Sequence, residues 1–267
     1  MTTSASPRRE HAATSGRWSD YGAMARHVRP AAQRLVDAVG RAPADEPASL
    51  LDVGSGTGAA LELIAEAGWQ PVGLDRSITQ LTAHGASAHP LTLADGQCIP
   101  IRSGRLGAAI SNFALIFADD PRKVLLELHR CLAPDTPIAW SAWCPGGWPE
   151  AWRPILAAAV GSEPAPFPVL FGVEATARAV MADVGFGDVR IERHAVSWRG
   201  RDAADLVDTI TSAAGGLRGA RAKLTEAGRW SAVASTLTDE ADKRGRPADG
   251  GGMAIDDAYL MITGHRR

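Results

Sequence analysis

The apolar positions of the chain follow two alternating rhythms. Short apolar runs are separated by stretches in which apolar side chains return every three or four residues. The run 49–53 gives way to helical spacing over 58–67, where Leu61, Leu63 and Ile64 interleave with Glu62 and Glu66 and Gly68 is placed to cap. Further runs at 70–74, 90–93, 106–111 and 137–143 predict strands. Between them, 78–84 reads as a helix capped by Ser77. Asp119-Asp120-Pro121 opens another, with acidic residues and proline suited to a first turn and Val124, Leu125, Leu128 and Leu132 on one face. Strands alternating with helices in this way predict an α/β fold built on a parallel, doubly wound sheet.

The remaining segments depart from that pattern. Residues 1–17, rich in Ser, Thr and Ala, predict a mobile N-terminal arm. Residues 18–40 predict lid helices, with Met24, Val28, Leu35, Val36 and Val39 apolar and Pro30 expected to kink or divide them. The core then spans 41–143. Residues 144–172 hold six prolines with Trp148, Trp152, Phe167 and Phe171, and are expected to form an irregular insertion in a cap. The α/β pattern resumes over 173–200 with a helix at 174–184, capped by Gly185, and a strand at 188–198. Residues 201–250 are mostly helical and long enough to form a cap, and 251–267 carry the final core strand.

Composition narrows the function classes. A chain of 267 residues, 45% apolar, can bury one large core. Its net charge of −2 and interspersed charges favour neither nucleic acid nor an anionic membrane as partner. Cys98, Cys131 and Cys144 share no metal-ligand spacing and make no disulfide framework, so no metal site is expected and a cytoplasmic setting is the simplest reading. No apolar run approaches the ~20 residues needed to span a bilayer, and the first residues lack a signal-peptide core. The expected partner is a small molecule, bound by a monomer or homodimer.

The candidate chemistry is concentrated at Leu-Leu-Asp-Val-Gly-Ser-Gly-Thr-Gly, residues 50–58. A strand runs straight into alternate glycines and then a helix, the geometry in which backbone N–H groups face a ligand. Gly54 and Gly56 followed by Ala59 also satisfy the nicotinamide-dinucleotide fingerprint, with Asp75 at the spacing of a ribose-binding acid. Asp52 argues the other way: a carboxylate beside the turn is poorly placed for a pyrophosphate and well placed for an ammonium group. Asp95, at the end of the third strand, is a further strand-end acid.

Five segments together carry a resemblance. Leu-Asp-Val-Gly-Ser-Gly-Thr-Gly (51–58), Val-Gly-Leu-Asp-Arg-Ser (72–77), Ala-Asp-Gly-Gln-Cys-Ile-Pro-Ile (94–101), Ser-Asn-Phe-Ala-Leu (111–115) and Glu-Leu-His-Arg-Cys-Leu-Ala-Pro (127–134) resemble class I S-adenosylmethionine-dependent methyltransferases. The likeness is to the small-molecule branch that includes the ubiquinone/menaquinone-type enzymes (methyltransferase type 11). It implies a Rossmann-like seven-stranded sheet with the last strand antiparallel and a helical cap over the carboxyl edge. It also implies S-adenosyl-L-methionine as cofactor and S-adenosyl-L-homocysteine as product. Under it, Gly54, Ser55, Gly56 and Gly58 lie against the amino-acid and ribose portions, and Asp52 helps to hold the ammonium. Asp75, with Arg76 beside it, accepts from the ribose hydroxyls, while Asp95, Gly96 and Gln97 meet the adenine. Asn112 and Phe113 border the sulfonium, and Tyr21 belongs to a helix that closes over the cofactor.

The chain departs from its relatives where many carry a histidine after the fourth strand; it reads Leu115-Ile116-Phe117, and no catalytic residue is assigned. Aromatic residues gather near the strand ends. Trp18, Phe117, Trp143 and Trp148 are the candidate substrate pocket, suited to a planar or hydrophobic acceptor. The implied activity is methyl transfer to an O, N or C nucleophile of such a molecule. The alternatives are a non-methylating member of the fold, either a cyclase-like enzyme or a binding protein, and a nicotinamide-dependent oxidoreductase.

Overall fold

The computed structural model describes residues 22–267 except 45–47, 84–87, 164–167 and 214. The arm, Trp18 and Tyr21 therefore lie outside the described residues. Eight strands form one sheet: β1 (Ser49–Val53), β2 (Gln70–Asp75), β3 (Leu91–Leu93), β4 (Ala108–Ser111), β5 (Pro137–Trp143), β6 (Phe186–Gly200), β7 (Arg246–Pro247) and β8 (Met253–Arg266). Their order is β3-β2-β1-β4-β5-β8-β6, with β7 paired to β8. The strands β1 to β5 pair in parallel, and β8 runs antiparallel to both β5 and β6. This is a Rossmann-like seven-stranded sheet with one addition. The two-residue β7 precedes the positive-φ glycines 250–252, which fold the chain back so that Arg246 and Pro247 pair with Ala254 and Met253.

Nine helices are described: α1 (Gly22–Val39), α2 (Leu61–Glu66), α3 (Ile78–Ala83), α4 (Pro121–Cys131), α5 (Trp148–Val160), α6 (Glu174–Val184), α7 (Ala203–Ala213), α8 (Gly215–Glu226) and α9 (Trp230–Arg244). Asp120 caps α4 by accepting from the Lys123 amide at 3.1 Å, and Gly185 ends α6 in the left-handed region. Pro30 does not divide the N-terminal helix. The α1 helix runs unbroken through Pro30, because that residue is exposed and water can satisfy the carbonyl its missing N–H leaves unpaired. It buries Met24, Val28, Ala31, Leu35 and Val39 on one stripe against β4, β5 and β6.

The insertion after β5 is likewise not irregular. Pro149 sits at the start of α5, where a missing amide hydrogen costs nothing, and Pro154 lies on its exposed side. Trp148, Trp152, Leu156 and Ala159 form the buried stripe, and α5 packs on α8 and α9. Helices α5 and α7–α9 gather beside the extension of β6 and β8 beyond Trp143, which is where β5 ends. Asp257 of that extension is buried and accepts from the Trp148 amide at 2.7 Å and from Trp198 Nε1 at 2.6 Å. A carboxylate from β8 thus caps α5, whose own N-cap, Gly147, has no side chain to do so.

Candidate cofactor cleft

A cleft of ≈ 810 Å³, open mouth included, lies at the carboxyl ends of β1, β2, β3 and β4. Of the residues singled out from the sequence, Gly54, Gly56, Asp75, Arg76, Asp95, Gly96, Asn112, Phe113 and Phe117 line it.

The glycine turn forms the floor. Gly54, Gly56 and Gly58 have φ of 75°, 55° and 81°, which disfavour side chains. The amides of Gly54 and Ser55 both donate to the Leu74 carbonyl, at 2.7 and 3.0 Å, fastening the turn to β2. A Cβ on Gly54 would lie 2.1 Å from the Cβ of Ala114, so the turn also presses on the segment after β4. Gly58 and Ser55 shape this turn from outside the cleft wall.

Asp75 ends β2 with its carboxylate accepting from the Gly56 amide at 2.9 Å and the Ser77 amide at 2.8 Å. Burial pushes its pKa up, and those hydrogen bonds with Arg76 oppose the push. The Arg76 guanidinium stands 3.8 Å from Asp119. Asp95 accepts from the Gln97 backbone amide at 2.9 Å, and the Gln97 side chain reaches the same carboxylate. Gln97 is therefore a support for Asp95, and its carbonyl oxygen accepts from the Asp120 amide at 3.1 Å. Behind this loop Glu127 accepts from the Ile99 amide, while Arg130 donates to the carbonyls of Ile99 and Ile101.

Asp52 lies behind the wall, 2% exposed. Its Oδ1 has no hydrogen-bond partner among the described residues. Burial first, and then the neighbouring Asp75 charge, raise its pKa to about 7. A desolvated carboxylate with one oxygen unpartnered among the described residues, beside a second carboxylate, attracts a cation.

The fourth strand supplies the far wall. Asn112 donates to the Val28 carbonyl at 3.2 Å and accepts from Ser141 Oγ, tying β4 to α1 and β5. Phe113 holds a positive φ of 56°, costly for a residue with a side chain, and its amide donates to Ser141 Oγ at 2.9 Å. Its ring stacks on Trp143 with centroids 3.9 Å apart. Trp143 stands behind Phe113, tilted against Trp198, rather than on the cleft wall.

Trp148 was expected in the substrate pocket, but it is fully buried in the cap, edge-on to Trp152. The i, i+4 spacing of these two indoles on an amphipathic helix directs both into the helix–helix packing. Gln80, Ala114 and Leu115 line the cleft without having been anticipated. The hydrophobic pattern held the signal for Leu115; Gln80 is a lone polar residue in a short helix.

Residues 51–139 match the family model described as "Methyltransferase domain". The chain is 30% identical over 154 residues to malonyl-[acyl-carrier protein] O-methyltransferase of Pseudescherichia vulneris, covering 55% of this chain and 60% of that one. It is 33% identical over 103 residues to demethylmenaquinone methyltransferase of Renibacterium salmoninarum, covering 38% and 42%. The chain thus matches about half the length of these curated relatives. Among solved structures, geranyl diphosphate C-methyltransferase of Streptomyces coelicolor A3(2) aligns with a TM-score of 0.52 at 17% identity, over 89% of this chain and 79% of that one.

Fold and cleft together define a Rossmann-like protein with an open cleft at the carboxyl edge of its sheet. Residues 51–139 are similar to methyltransferase domains, and the cofactor that the sequence resemblance implies for them is S-adenosylmethionine. The cleft fits it. An ammonium suits Asp52 Oδ1, unpartnered among the described residues, and the side-chain-free turn admits a ligand against the backbone. Among the described residues no cluster could hold a metal ion, and no helix is long and apolar enough to cross a membrane.

Proposed function

We propose that the protein transfers the methyl group of S-adenosylmethionine to an O, N or C nucleophile of a small aromatic or hydrophobic molecule. One observation carries the reading. A single cleft presents two strand-end carboxylates, the glycine turn and the backed aromatic wall of Phe113, with the orphaned Asp52 carboxylate immediately behind it.

When bound, S-adenosylmethionine supplies a methyl group already activated by its positive sulfur. Asp52 would hold the ammonium, Asp75 the ribose hydroxyls and Asp95 the adenine amino group. Asn112 and Phe113, fixed by Ser141 and by stacking on Trp143, would border the reacting sulfur and keep water from it. Phe117 adds apolar surface on the same wall. Acceleration then comes chiefly from in-line placement of the nucleophile.

The malonyl-carrier and menaquinone-precursor names of the relatives suggest acceptor panels rather than an acceptor. The test incubates the protein with S-adenosylmethionine and a panel of phenols, quinols, aromatic amines and hydrophobic carboxylates. Mass spectrometry should find S-adenosylhomocysteine and a methylated acceptor in equal amounts. Acceptor conversion without S-adenosylhomocysteine would instead establish the non-methylating reading.

A further inference from the structure

Gln80 stands out on the cleft wall. It is 3% exposed, and its Oε1 has no hydrogen-bond partner among the described residues. It sits on the first turns of α3, where its amide is held by the carbonyl and hydroxyl of Ser77, so its side chain leaves the helix toward the cleft. A Cβ on Gly56 would come within 3.9 Å of Oε1, which places the carboxamide against the glycine turn whose amide serves Asp75. A buried carbonyl oxygen without a partner is destabilising, so a protein that retains one has a use for it elsewhere.

We propose that Gln80 is a cofactor-binding residue that completes the ribose site opposite Asp75. The inference rests on the assignment of the cleft to S-adenosylmethionine. Its chemistry follows from what a carboxylate lacks. Ionised Asp75 can only accept, so it uses the hydrogens of the ribose hydroxyls and leaves their oxygens unserved. A carboxamide both donates and accepts. Gln80 can therefore donate from Nε2 to a hydroxyl oxygen that Asp75 has oriented, while Oε1 gains a donor from the ligand or from a water bound with it. A second carboxylate here would repel Asp75; an apolar residue would leave the hydroxyl oxygens dry. Gln80 then helps to discriminate a ribonucleoside from its deoxy counterpart.

The substitution Gln80→Met keeps length and volume and removes both polar atoms. Calorimetry with S-adenosylhomocysteine and with 5′-methylthioadenosine, which lacks the amino-acid portion, should show both ligands bound about 5- to 15-fold more weakly by the variant. The ligand-free variant should melt at the same temperature as the parent or higher, because an unpartnered buried oxygen has gone. Weaker binding with undiminished stability is a combination that a merely structural glutamine would not give. Unchanged affinity for 5′-methylthioadenosine, or a lower melting temperature accompanying weaker binding, overturns the assignment of Gln80. If the parent protein binds neither ligand, the cofactor reading of the cleft itself fails.

Discussion

Asp52 offers a direct test of the site. Burial, and then the neighbouring Asp75 charge, push the Asp52 carboxyl from the ordinary 3.8 up to about 7. At about 1.4 kcal/mol per unit, the ionised form costs the ligand-free fold about 4 kcal/mol. The sign follows from linkage. Between pH 4 and 7 the folded protein holds a proton that the unfolded chain has released, so stability falls as pH rises through this window and is flat above it. Asp52→Asn removes the titration. The variant should match the parent near pH 4 and exceed it by an amount that grows to about 4 kcal/mol at pH 8, roughly 10 °C in melting temperature. Its affinity for S-adenosylhomocysteine should fall about 10- to 150-fold, the worth of a hydrogen bond to a charged group. Parent affinity should also weaken as pH drops below 7 and Asp52 takes up its proton. Chemical denaturation at several pH values together with calorimetry reads all of this. A stability difference that is the same at pH 5 and pH 8, or undiminished binding by the variant, would refute the reasoning.

Three further outcomes are expected. Asp75→Ala and Asp95→Ala should each weaken S-adenosylhomocysteine by about 1–3 kcal/mol in calorimetry, and parent-like affinity in both would displace the ligand from this cleft. Gly54→Ala forces a Cβ to 2.1 Å from Ala114 at a φ of 75°, so it should lower stability by about 1–3 kcal/mol and abolish detectable binding; a variant that melts like the parent would contradict the close approach. Trp198→Phe deprives the buried Asp257 of one of its two donors, and thermal melts should show a loss of about 1–3 kcal/mol that Asp257→Asn in the same chain partly restores.

That the glycine turn and the strand-end acids meet at one cleft was legible because their signals are local. A strand that ends in alternate glycines must turn at once, and each of Asp75 and Asp95 ends or follows a strand whose apolar run can be counted. The insertion was less legible. Pro149 and Pro154 read as breakers, yet one occupies a helix start and the other faces solvent, and sequence alone does not say on which side a proline lies. The same difficulty separates Trp143 from Trp148. Both follow the fifth strand, but one backs the cleft through Phe113 while the other is consumed by helix packing. Gln80 was invisible for a different reason. A lone amide in a short helix has no periodicity or motif, and only the missing partner of its oxygen marks it.

The clasp of Asp257 on Trp148 and Trp198 also bears on how such a protein could be re-engineered. The matched domain ends at Ala139, inside β5, so the natural graft line for exchanging the rest of the chain runs along the seam between β5 and β8. A transplanted cap that began after Trp143 and left β8 behind would separate a helix from its capping acid 109 residues downstream. Cap and final strand therefore constitute one exchangeable unit, and a chimera must move them together.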